Sequence, residues 1–369
     1  MRLGIILFAA CFIAMLLSGC WDQQLLKDDR IVYIVGFDLG SDGKLQTTTA
    51  ILDVSGSQKG MKPFSEIHTV SGYTSRHNRE IMDLEVPGRV SASKVLVILF
   101  GEALARKHIY PVLDVFYRDP RSALNAKVAV IEGTTRDAIT MKLTGTKLIS
   151  EHYNKLIKSA EKATNVPNVN IQFICSPLLD QGDDFAVPYI KIAKTPSING
   201  IALFNGDKMT GTLSREESML YLLMADKLSK TASFTFEVNK EGKQNPEKYI
   251  SIDVQSIKRK LKVNVQGNRK IQVPLDLNLK VNAIEYPKNH LTKQILDRLN
   301  KKLSKELTRK AQVVTQKMQK ANHDGFGIGR RIMAYYPNTW KNLNWKEDYR
   351  KVEFVPKVTV EIVTHGIMN

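Results

Sequence analysis

A short apolar run at the start of the chain ends in Leu17-Ser18-Gly19-Cys20, and this feature constrains everything that follows it. Met1-Arg2 supplies a positive start, residues 3–16 are apolar, and small residues precede the cysteine. This is the pattern of a signal sequence that is cut just before the cysteine. The sequence therefore predicts that residues 1–19 are removed, that Cys20 becomes the lipid-modified N-terminus, and that the folded body is built from the residues after it.

A lipid on Cys20 would hold that body on the outer face of a membrane, because two or more acyl chains make such an attachment stable. An uncleaved membrane helix is the alternative interpretation. The apolar stretch is shorter than the roughly 20 residues that a span needs, and polar Asp22-Gln23-Gln24 follows it closely. No second apolar run in the sequence is long enough to cross a bilayer. We therefore expect a chain that is anchored to a membrane and does not span it.

The chain is basic, with 54 Lys and Arg against 37 Asp and Glu and a net charge of +17. In a cytosolic protein this charge would favour nucleic acid as the partner. Export past a membrane excludes nucleic acid, and anionic lipid headgroups then become the natural partner, at about 1 kcal/mol for each well-placed Lys or Arg. Solubility alone is the other interpretation of the same charge.

About 350 residues follow the signal, which is enough for two or three domains. Of the three cysteines, Cys11 is lost with the signal, Cys20 takes the lipid, and Cys175 is left alone, so an internal disulfide is excluded. Cys175 ends an apolar stretch that begins at Val169. Such surroundings predict a small buried side chain and not a nucleophile.

The first half of the chain alternates strand-like and helical patterns, which predicts an α/β domain over residues 20–197. A strand, helix, strand order favours parallel pairing of the two strands. The stretch 167–196 carries four prolines and is typical of a domain boundary. In chain order the predicted elements are a hairpin of residues 31–39 and 47–54, a loop over 55–80 with a short helix near 79–84, a strand over 94–100, a helix over 102–117 that Pro111 kinks or restarts, a strand over 126–131, and helices over 137–143 and 150–162.

A middle segment over residues 198–230 is predicted to be a hairpin and a helix. Asn205-Gly206-Asp207 separates two strand-like runs, 199–204 and 208–213, and an Asn-Gly pair is the strongest short-range hairpin signal. Ser214 then caps a helix whose first turn carries Glu216 and Glu217, which suit its positive end.

Residues 231–369 are predicted to form an antiparallel sheet with one long helix. The expected strands cover residues 233–238, 249–257, 261–265, 271–284 and 351–364, and the helix covers 287–320. The fold class is therefore α+β, with mixed sheets flanked by helices. One face of the helix is basic, and we expect contact with a membrane or a partner at Lys301, Lys302, Lys305 and Arg309, with a solvated back of the helix as the alternative.

No spacing of residues in the sequence indicates catalysis or metal binding. The seven histidines are scattered, without a His-Glu-x-x-His pair or a Cys-x-x-Cys to hold zinc. Neither a Gly-x-Ser-x-Gly elbow nor a Walker-type loop is present. Residues 325–329 contain three alternate glycines, but they follow a helix and not a strand, which favours a helix end and turn. We expect no catalytic residue, no cofactor and no metal.

Several short motifs occur along the chain in a fixed order: Cys20-Trp21-Asp22, the block from Lys94 to Asp119, the hairpin from Gly200 to Leu213, and Asp324-Gly325-Phe326-Gly327 with Trp340 and Trp345 beyond it. Taken together and in this order, they resemble the motifs of the Ger(x)C spore germination lipoproteins, the C subunits of nutrient germinant receptors. The resemblance implies a lipoprotein on the outer face of the spore inner membrane. It also implies work with an integral membrane A subunit and a transporter-like B subunit, three mixed α/β domains, and no catalytic activity.

The functional expectation is a binding and assembly subunit that acts in spore germination. A solute-binding lipoprotein that delivers a ligand to a membrane transporter is the alternative, but such proteins usually repeat strand-helix units in both lobes. Here the second half reads as a meander with one long helix. An exported hydrolase would need a site that the sequence does not show.

Overall fold

A computed structural model describes residues 29–53, 64–143, 148–239, 248–267, 270–286 and 291–364, together with Gly4. The predicted signal sequence, apart from Gly4, and the predicted lipid site Cys20 lie outside the described residues. Helix and strand each make up 37% of the structure, which confirms the α+β class.

The first part of the chain builds a nine-stranded mixed sheet. Its strands follow the order β3-β2-β1-β5-β6-β7-β8-β9, and β4 pairs with the start of β1. The four central strands β1, β5, β6 and β7 are parallel, and antiparallel pairs close both ends. The strands are β1 Asp29–Leu39, β2 Leu45–Asp53, β3 Phe64–Gly72, β4 Arg89–Ser91, β5 Val97–Gly101, β6 Lys127–Glu132, β7 Ala186–Ile192, β8 Pro196–Asn205 and β9 Lys208–Ser214.

Helices cover both faces of this first sheet. They are α1 Ser75–Glu85, α2 Glu102–Ala105, α3 Tyr110–Arg118, α4 Thr135–Thr140, α5 Ile149–Lys162 and α6 Ile171–Leu179. On one face, against α1, α2, α3 and α6, the ring of Phe37 stacks on Phe100 at 6.0 Å and meets Phe116 edge-on at 6.2 Å. On the other face, Ile139 of α4 and Tyr153 of α5 are buried. Burial on both faces explains why β5 and β6 read as continuous apolar runs.

The predicted strand-helix-strand unit is confirmed, because β5 and β6 pair in parallel. The helix between them is split into α2 and α3, and Pro111 lies in the first turn of α3. A backbone N–H in the first turn of a helix has no acceptor within the helix, so a proline there costs no hydrogen bond. Pro111 therefore restarts the helix and does not kink it.

The stretch predicted to be a loop and the stretch predicted to be a domain boundary both contain helix and strand. The loop predicted over 55–80 is wrong where the structure describes it, because Phe64–Gly72 pairs with β2 as an edge strand and α1 begins at Ser75. An edge strand has one neighbour and tolerates polar side chains, so its pattern did not stand out. The proline-rich stretch 167–196 holds α6 and β7, with Pro177 inside α6 near its C-terminal end.

A second sheet of five strands is wrapped by the C-terminal helices. Its order is β10-β11-β13-β12, and β14 pairs with β13. The strands are β10 Ser233–Glu237, β11 Tyr249–Leu261, β12 Asn264–Gln266, β13 Lys270–Glu285 and β14 Glu353–Thr364, and the helices are α7 Arg215–Met224, α8 Lys293–Lys320, α9 Ile328–Tyr335, α10 Pro337–Lys341 and α11 Trp345–Asp348, before a 3-10 turn Tyr349–Lys351. The predicted antiparallel pairing holds for β10 to β13 and is wrong for β14, which runs parallel to β13. The long connection through α8 makes this parallel return possible.

The two sheets meet at the hairpin formed by β8 and β9. Ile201, Leu203 and Leu213 from this hairpin belong to the same buried core as the second sheet and α8. The predicted Ser214 cap is present at the start of α7. It forms a capping box, in which the Ser214 side chain accepts from the backbone N–H of Glu217 and the Glu217 side chain accepts from the backbone N–H of Ser214. The domain boundaries at 197/198 and 230/231 stay predictions, and β7 and β8 pair across the first of them.

Candidate functional site

Helix α8 carries the predicted contact residues, and its sequence explains how it is placed. Thr292 caps the helix by accepting a hydrogen bond from the backbone N–H of Ile295 at 3.4 Å. An apolar stripe then faces the second sheet, as the 3.6-residue period predicts. The buried members of the stripe are Leu299, Leu303, Leu307, Ala311, Val314 and Met318. Burial of this stripe leaves the basic residues between its members on the opposite face.

A second row of side chains on α8 fastens the helix to the edge of β14. Asn300 Oδ1 accepts from the N–H of Ile362 at 3.0 Å, and Ser304 Oγ accepts from the N–H of Val360 at 2.9 Å. Thr308 Oγ1 accepts from the N–H of Val358 at 3.0 Å. These three side chains are four residues apart and lie in one row along the helix. They satisfy edge groups of β14 that would otherwise be open to another strand.

A groove of about 1000 Å³ runs between α8, β10 and β14. Lys302, Lys305 and Arg309 line it, while Lys301 is exposed on the same helix outside its lining. Four residues of β10 and its continuation, Thr235 to Val238, form one wall. Three residues of β14, Lys357 to Thr359, also contribute. The groove thus brings together three of the four residues that the sequence singled out, and it adds Lys357, which a search along one helix could not find.

The groove has more positive than negative side chains. Its acidic residues are Glu237 and Glu306, and its basic residues are Lys302, Lys305, Arg309, Lys310 and Lys357. Arg309 donates to both oxygens of Glu306, at 2.7 and 3.3 Å, and this contact lowers the pKa of Glu306. The side-chain ammonium groups of Lys305 and Lys357 have no ion-pair or hydrogen-bond partner among the described residues. The groove therefore presents positive charge that the chain itself does not neutralise.

Two of the other groove lysines are held by the fold. Lys302 Nζ donates to the carbonyl oxygen of Val238 at 3.1 Å. Lys310 forms an ion pair with Glu216 of α7 and lies 5.1 Å above the ring of Phe236. Strand β10 itself pairs with β11 and with no other described strand. One edge of β10 is therefore open within the described structure, and residues of β10 line the groove.

Away from the groove, His323 lies fully buried between the two sheets. Its Nδ1 is 2.6 Å from the carbonyl oxygen of Phe204, which can only accept, so Nδ1 carries the hydrogen. Its Nε2 therefore accepts from the hydroxyl of Tyr221, at 3.1 Å. Burial lowers the pKa of His323 to about 4, against the opposing effect of the bond to Phe204. The imidazole is neutral and serves as a hydrogen-bond bridge.

Asp324, the next residue, joins the same junction. Its carboxylate accepts from the N–H groups of Ile328 and Gly329, at 2.8 and 2.7 Å, and from Trp345 Nε1 at 3.1 Å. Its own N–H donates to Asp184 Oδ2 at 2.7 Å, and the N–H of Asp184 donates to its carbonyl oxygen at 3.1 Å. Burial raises the pKa of Asp324 to about 8 and that of Asp184 to about 6. These groups bind one another and so fasten the C-terminal part of the chain to the first sheet.

The three glycines that suggested a dinucleotide motif serve this junction. Gly327 is the N-cap residue just before α9, and its φ of +63° is a conformation that suits glycine. A Cβ on Gly325 would lie 2.1 Å from the hydroxyl of Tyr221, and one on Gly329 would lie 2.6 Å from Gly182. Residues 325–329 are therefore a turn and not a dinucleotide motif. Their glycines let the chain approach Tyr221 and Gly182 closely.

In the described part of the chain, no group of three or more His, Cys, Asp or Glu side chains is placed to hold a metal ion. Cys175 lies on α6 and is half-buried. Across the same described residues, no helix has the length and apolar character needed to cross a membrane.

Comparison with known protein families covers almost the whole chain. Residues 22–192 match the spore germination protein N-terminal domain, and residues 199–366 match the C-terminal domain described as spore germination B3/GerAC like. The chain belongs to the Ger(x)C family of spore germination proteins. The two Ger(x)C matches leave only residues 193–198 between them, which is where β7 passes into β8.

Individual Ger(x)C relatives are distant but align end to end. Spore germination protein GerQC of Bacillus cereus is 22% identical over 359 residues, covering 96% of this chain and 97% of the relative. Spore germination protein KC of Bacillus subtilis (strain 168) is 22% identical over 374 residues, covering 94% and 90%. The crystal structure of the GerBC protein matches with a TM-score of 0.59 at 18% identity, covering 89% of this chain and 96% of that one. At this identity the structural match shows a shared fold.

Proposed function

We propose that the chain is a non-catalytic, lipid-anchored subunit of a nutrient germinant receptor. It would sit on the outer face of the spore inner membrane through Cys20 and work with an integral membrane A subunit and a transporter-like B subunit. The observation that carries the proposal is the pair of Ger(x)C matches over residues 22–192 and 199–366, in a chain whose predicted lipid site, Cys20, lies just before them. Assembly and signalling, with no chemical step, are the activities that fit such a body.

The groove along α8 is the proposed contact with one of those membrane subunits. Its partner would be an acidic, extended segment, because the groove offers positive charge at Lys305 and Lys357. The open edge of β10 would supply main-chain hydrogen bonds to such a segment, as in strand addition to a sheet. Charge complementarity would set the association rate and the choice of partner.

A recessed groove favours a protein segment over a flat membrane surface. Lipid headgroups would meet the exposed Lys301 as readily as the groove residues, since both lie on α8. A bound peptide segment would depend on Lys305 and Lys357 and be indifferent to Lys301. The three lysines therefore distinguish the two kinds of contact.

Deletion of the gene tests the receptor role. Spores that lack the chain should lose germination with the nutrients served by its own receptor, while agents that bypass receptors still trigger germination. The release of dipicolinic acid after each stimulus measures both responses. Equal loss with a bypass agent would place the chain outside the receptor, and unchanged germination with every nutrient would remove the proposed role.

Charge reversal in the groove tests the contact. Lys305→Glu with Lys357→Glu changes two exposed side chains that have no described partner, so the free energy of unfolding should change by less than about 1 kcal/mol. Nutrient germination should slow, and co-purification with the membrane subunits should fall and become less sensitive to salt. Lys301→Glu is the matched control and should behave as the wild type. An equal effect of Lys301→Glu would indicate a membrane surface as the partner of α8.

A further inference from the structure

Two small adjoining chambers lie between the first sheet and the helices α1 and α3. The residues that line them are remote in sequence from those of the α8 groove. The inner chamber has a volume of about 80 Å³, and its apolar lining includes Val35, Phe37, Met82 and Phe116. The outer chamber has a volume of about 110 Å³, and it is lined by polar and charged residues that include Arg89 and Ser93. Arg79, Ala92, Asp119 and Ser122 line both chambers. The result is one pocket with an apolar end and a polar mouth.

Arg79 lies at the junction of the two chambers, and its ion pair with Asp119 is long. Its side chain is 21% exposed, and its Nη1 lies 3.9 Å from Asp119 Oδ2. No hydrogen bond from its guanidinium reaches another described residue. Burial lowers the pKa of Arg79 in spite of the opposing charges of Asp83 and Asp119, so an additional anion would stabilise the cation. The guanidinium has five N–H donors in a fixed plane and therefore has donors left for a ligand in the pocket.

Asp119 meets this need only in part, because one of its two carboxylate oxygens already binds Arg121. Its Oδ1 accepts from the backbone N–H of Arg121 at 2.9 Å and lies 3.6 Å from the Arg121 side chain. The exposed Arg89 adds a second positive charge at the mouth. An anion placed between Arg79 and Arg89 would therefore find both charge and free donors, and a guanidinium binds a carboxylate through two parallel hydrogen bonds.

We propose that this pocket binds a small apolar carboxylate, with its carboxylate on Arg79 and its aliphatic part in the inner chamber. Apolar walls with a few convergent polar groups are the usual construction of a small-molecule site. The shared chemistry is that of a short branched fatty acid and of an aliphatic amino acid. An amino acid would in addition bring an ammonium group to Asp119. This site is separate from the α8 groove and does not depend on the proposed receptor role.

Binding of isocaproate to the purified full-length chain is the test. Ligand-observed NMR should detect saturable binding of isocaproate, and the neutral isostere isocaproamide should bind at least about tenfold more weakly because it cannot pair with Arg79. L-leucine has the same carbon skeleton plus an ammonium group. Tighter binding of L-leucine than of isocaproate would identify the amino acid as the source of the carboxylate, and weaker binding would identify the simple acid.

Variants locate the site. Arg79→Gln should weaken isocaproate binding at least about tenfold, and Arg79→Lys should give an intermediate loss because it keeps the charge without the planar fork. Arg118→Gln is the matched control: Arg118 lies on α3, pairs with Asp114 at 2.7 Å and lines neither chamber, so binding should be unchanged. Ala92→Phe should block the passage between the chambers. Equal binding of the acid and the amide, unchanged binding by Arg79→Gln, or no saturable binding of either carboxylate would overturn the proposal.

Discussion

Single buried polar residues decide how the two sheets are held together. His323 reaches Phe204 on β8 through one ring nitrogen and Tyr221 on α7 through the other. In the sequence, His323 lies about a hundred residues after both of these partners. In the sequence this residue looks like any other scattered histidine, because the partners that bury it become neighbours only in the folded chain.

Replacing His323 should destabilise the protein in a pH-dependent way. His323→Leu replaces the imidazole by an apolar side chain and leaves the Phe204 carbonyl and the Tyr221 hydroxyl unpaired, so we expect the free energy of unfolding to fall by about 2 to 4 kcal/mol at pH 7. The pKa of His323 is about 4 in the folded protein against 6.5 ordinarily. Below pH 6.5 the unfolded chain binds a proton that the folded chain does not, so the stability due to neutral His323 is lost as the pH falls towards 4.

Urea unfolding at pH 7 and pH 5 measures this effect. The difference between wild type and His323→Leu should shrink at pH 5 by up to about 2 kcal/mol, because the variant has no imidazole to protonate. His108→Gln is the surface control, since His108 is an exposed partner of Asp207, and it should cost less than about 1 kcal/mol at both pH values. A difference that stays constant or grows at pH 5 would contradict the assignment of a buried neutral histidine.

At the scale of elements, α8 does more than cover the sheet. Its apolar stripe fills the core, its Asn300-Ser304-Thr308 row satisfies β14, and its basic side chains line the groove. The row covers the backbone N–H groups at the edge of β14, whereas one edge of β10 has no neighbouring strand among the described residues. An edge that is left open beside a basic groove is a natural place for an added strand.

Removing the polar row should weaken the attachment of β14. Ser304→Ala with Thr308→Val keeps the shape of the helix but leaves the N–H groups of Val358 and Val360 without their acceptors, at an expected cost of about 1 to 3 kcal/mol. The variant should also aggregate faster near its unfolding transition, because the edge of β14 becomes available to other chains. Gln316→Ala changes an exposed position of the same helix and should stay within about 0.5 kcal/mol of wild type. Equal stability of the two variants in urea unfolding would show that the row is not needed.

How far the sequence predicts these elements depends on how each one is buried. Residues 208–213 and the α8 stripe were found because turn chemistry and a 3.6-residue period are local signals. Strand β3 was missed because an edge strand carries polar side chains, and the parallel pairing of β14 was missed because register and direction are set by distant partners. Three of the predicted contact residues line the groove. Arg79 and its pocket gave no local signal, because residues of five separate elements, β1, β2, α1, β4 and α3, line it.

For the whole molecule, the distance between the predicted anchor and the fold limits where the body can sit. Cys20 precedes Asp29, the first residue of β1, by nine positions. Nine extended residues span at most about 30 Å. A lipid on Cys20 would therefore keep the start of β1 within about that distance of the bilayer. Such an anchor would raise the local concentration of the chain at a partner in the same membrane.

Cys20→Ala should separate anchoring from folding. The precursor should stay uncleaved and should take up no label when sporulating cells are given radioactive palmitate, because the thiol that receives the lipid is gone. Cys175→Ala is the matched control: it removes the other cysteine of the predicted mature chain, which is half-buried on α6, and labelling should persist. Cys20 precedes every described strand and helix of the body, so urea unfolding of the Cys20→Ala body should match the wild type while nutrient germination weakens. Label on the Cys20→Ala protein, or its loss from Cys175→Ala, would move the lipid site away from Cys20.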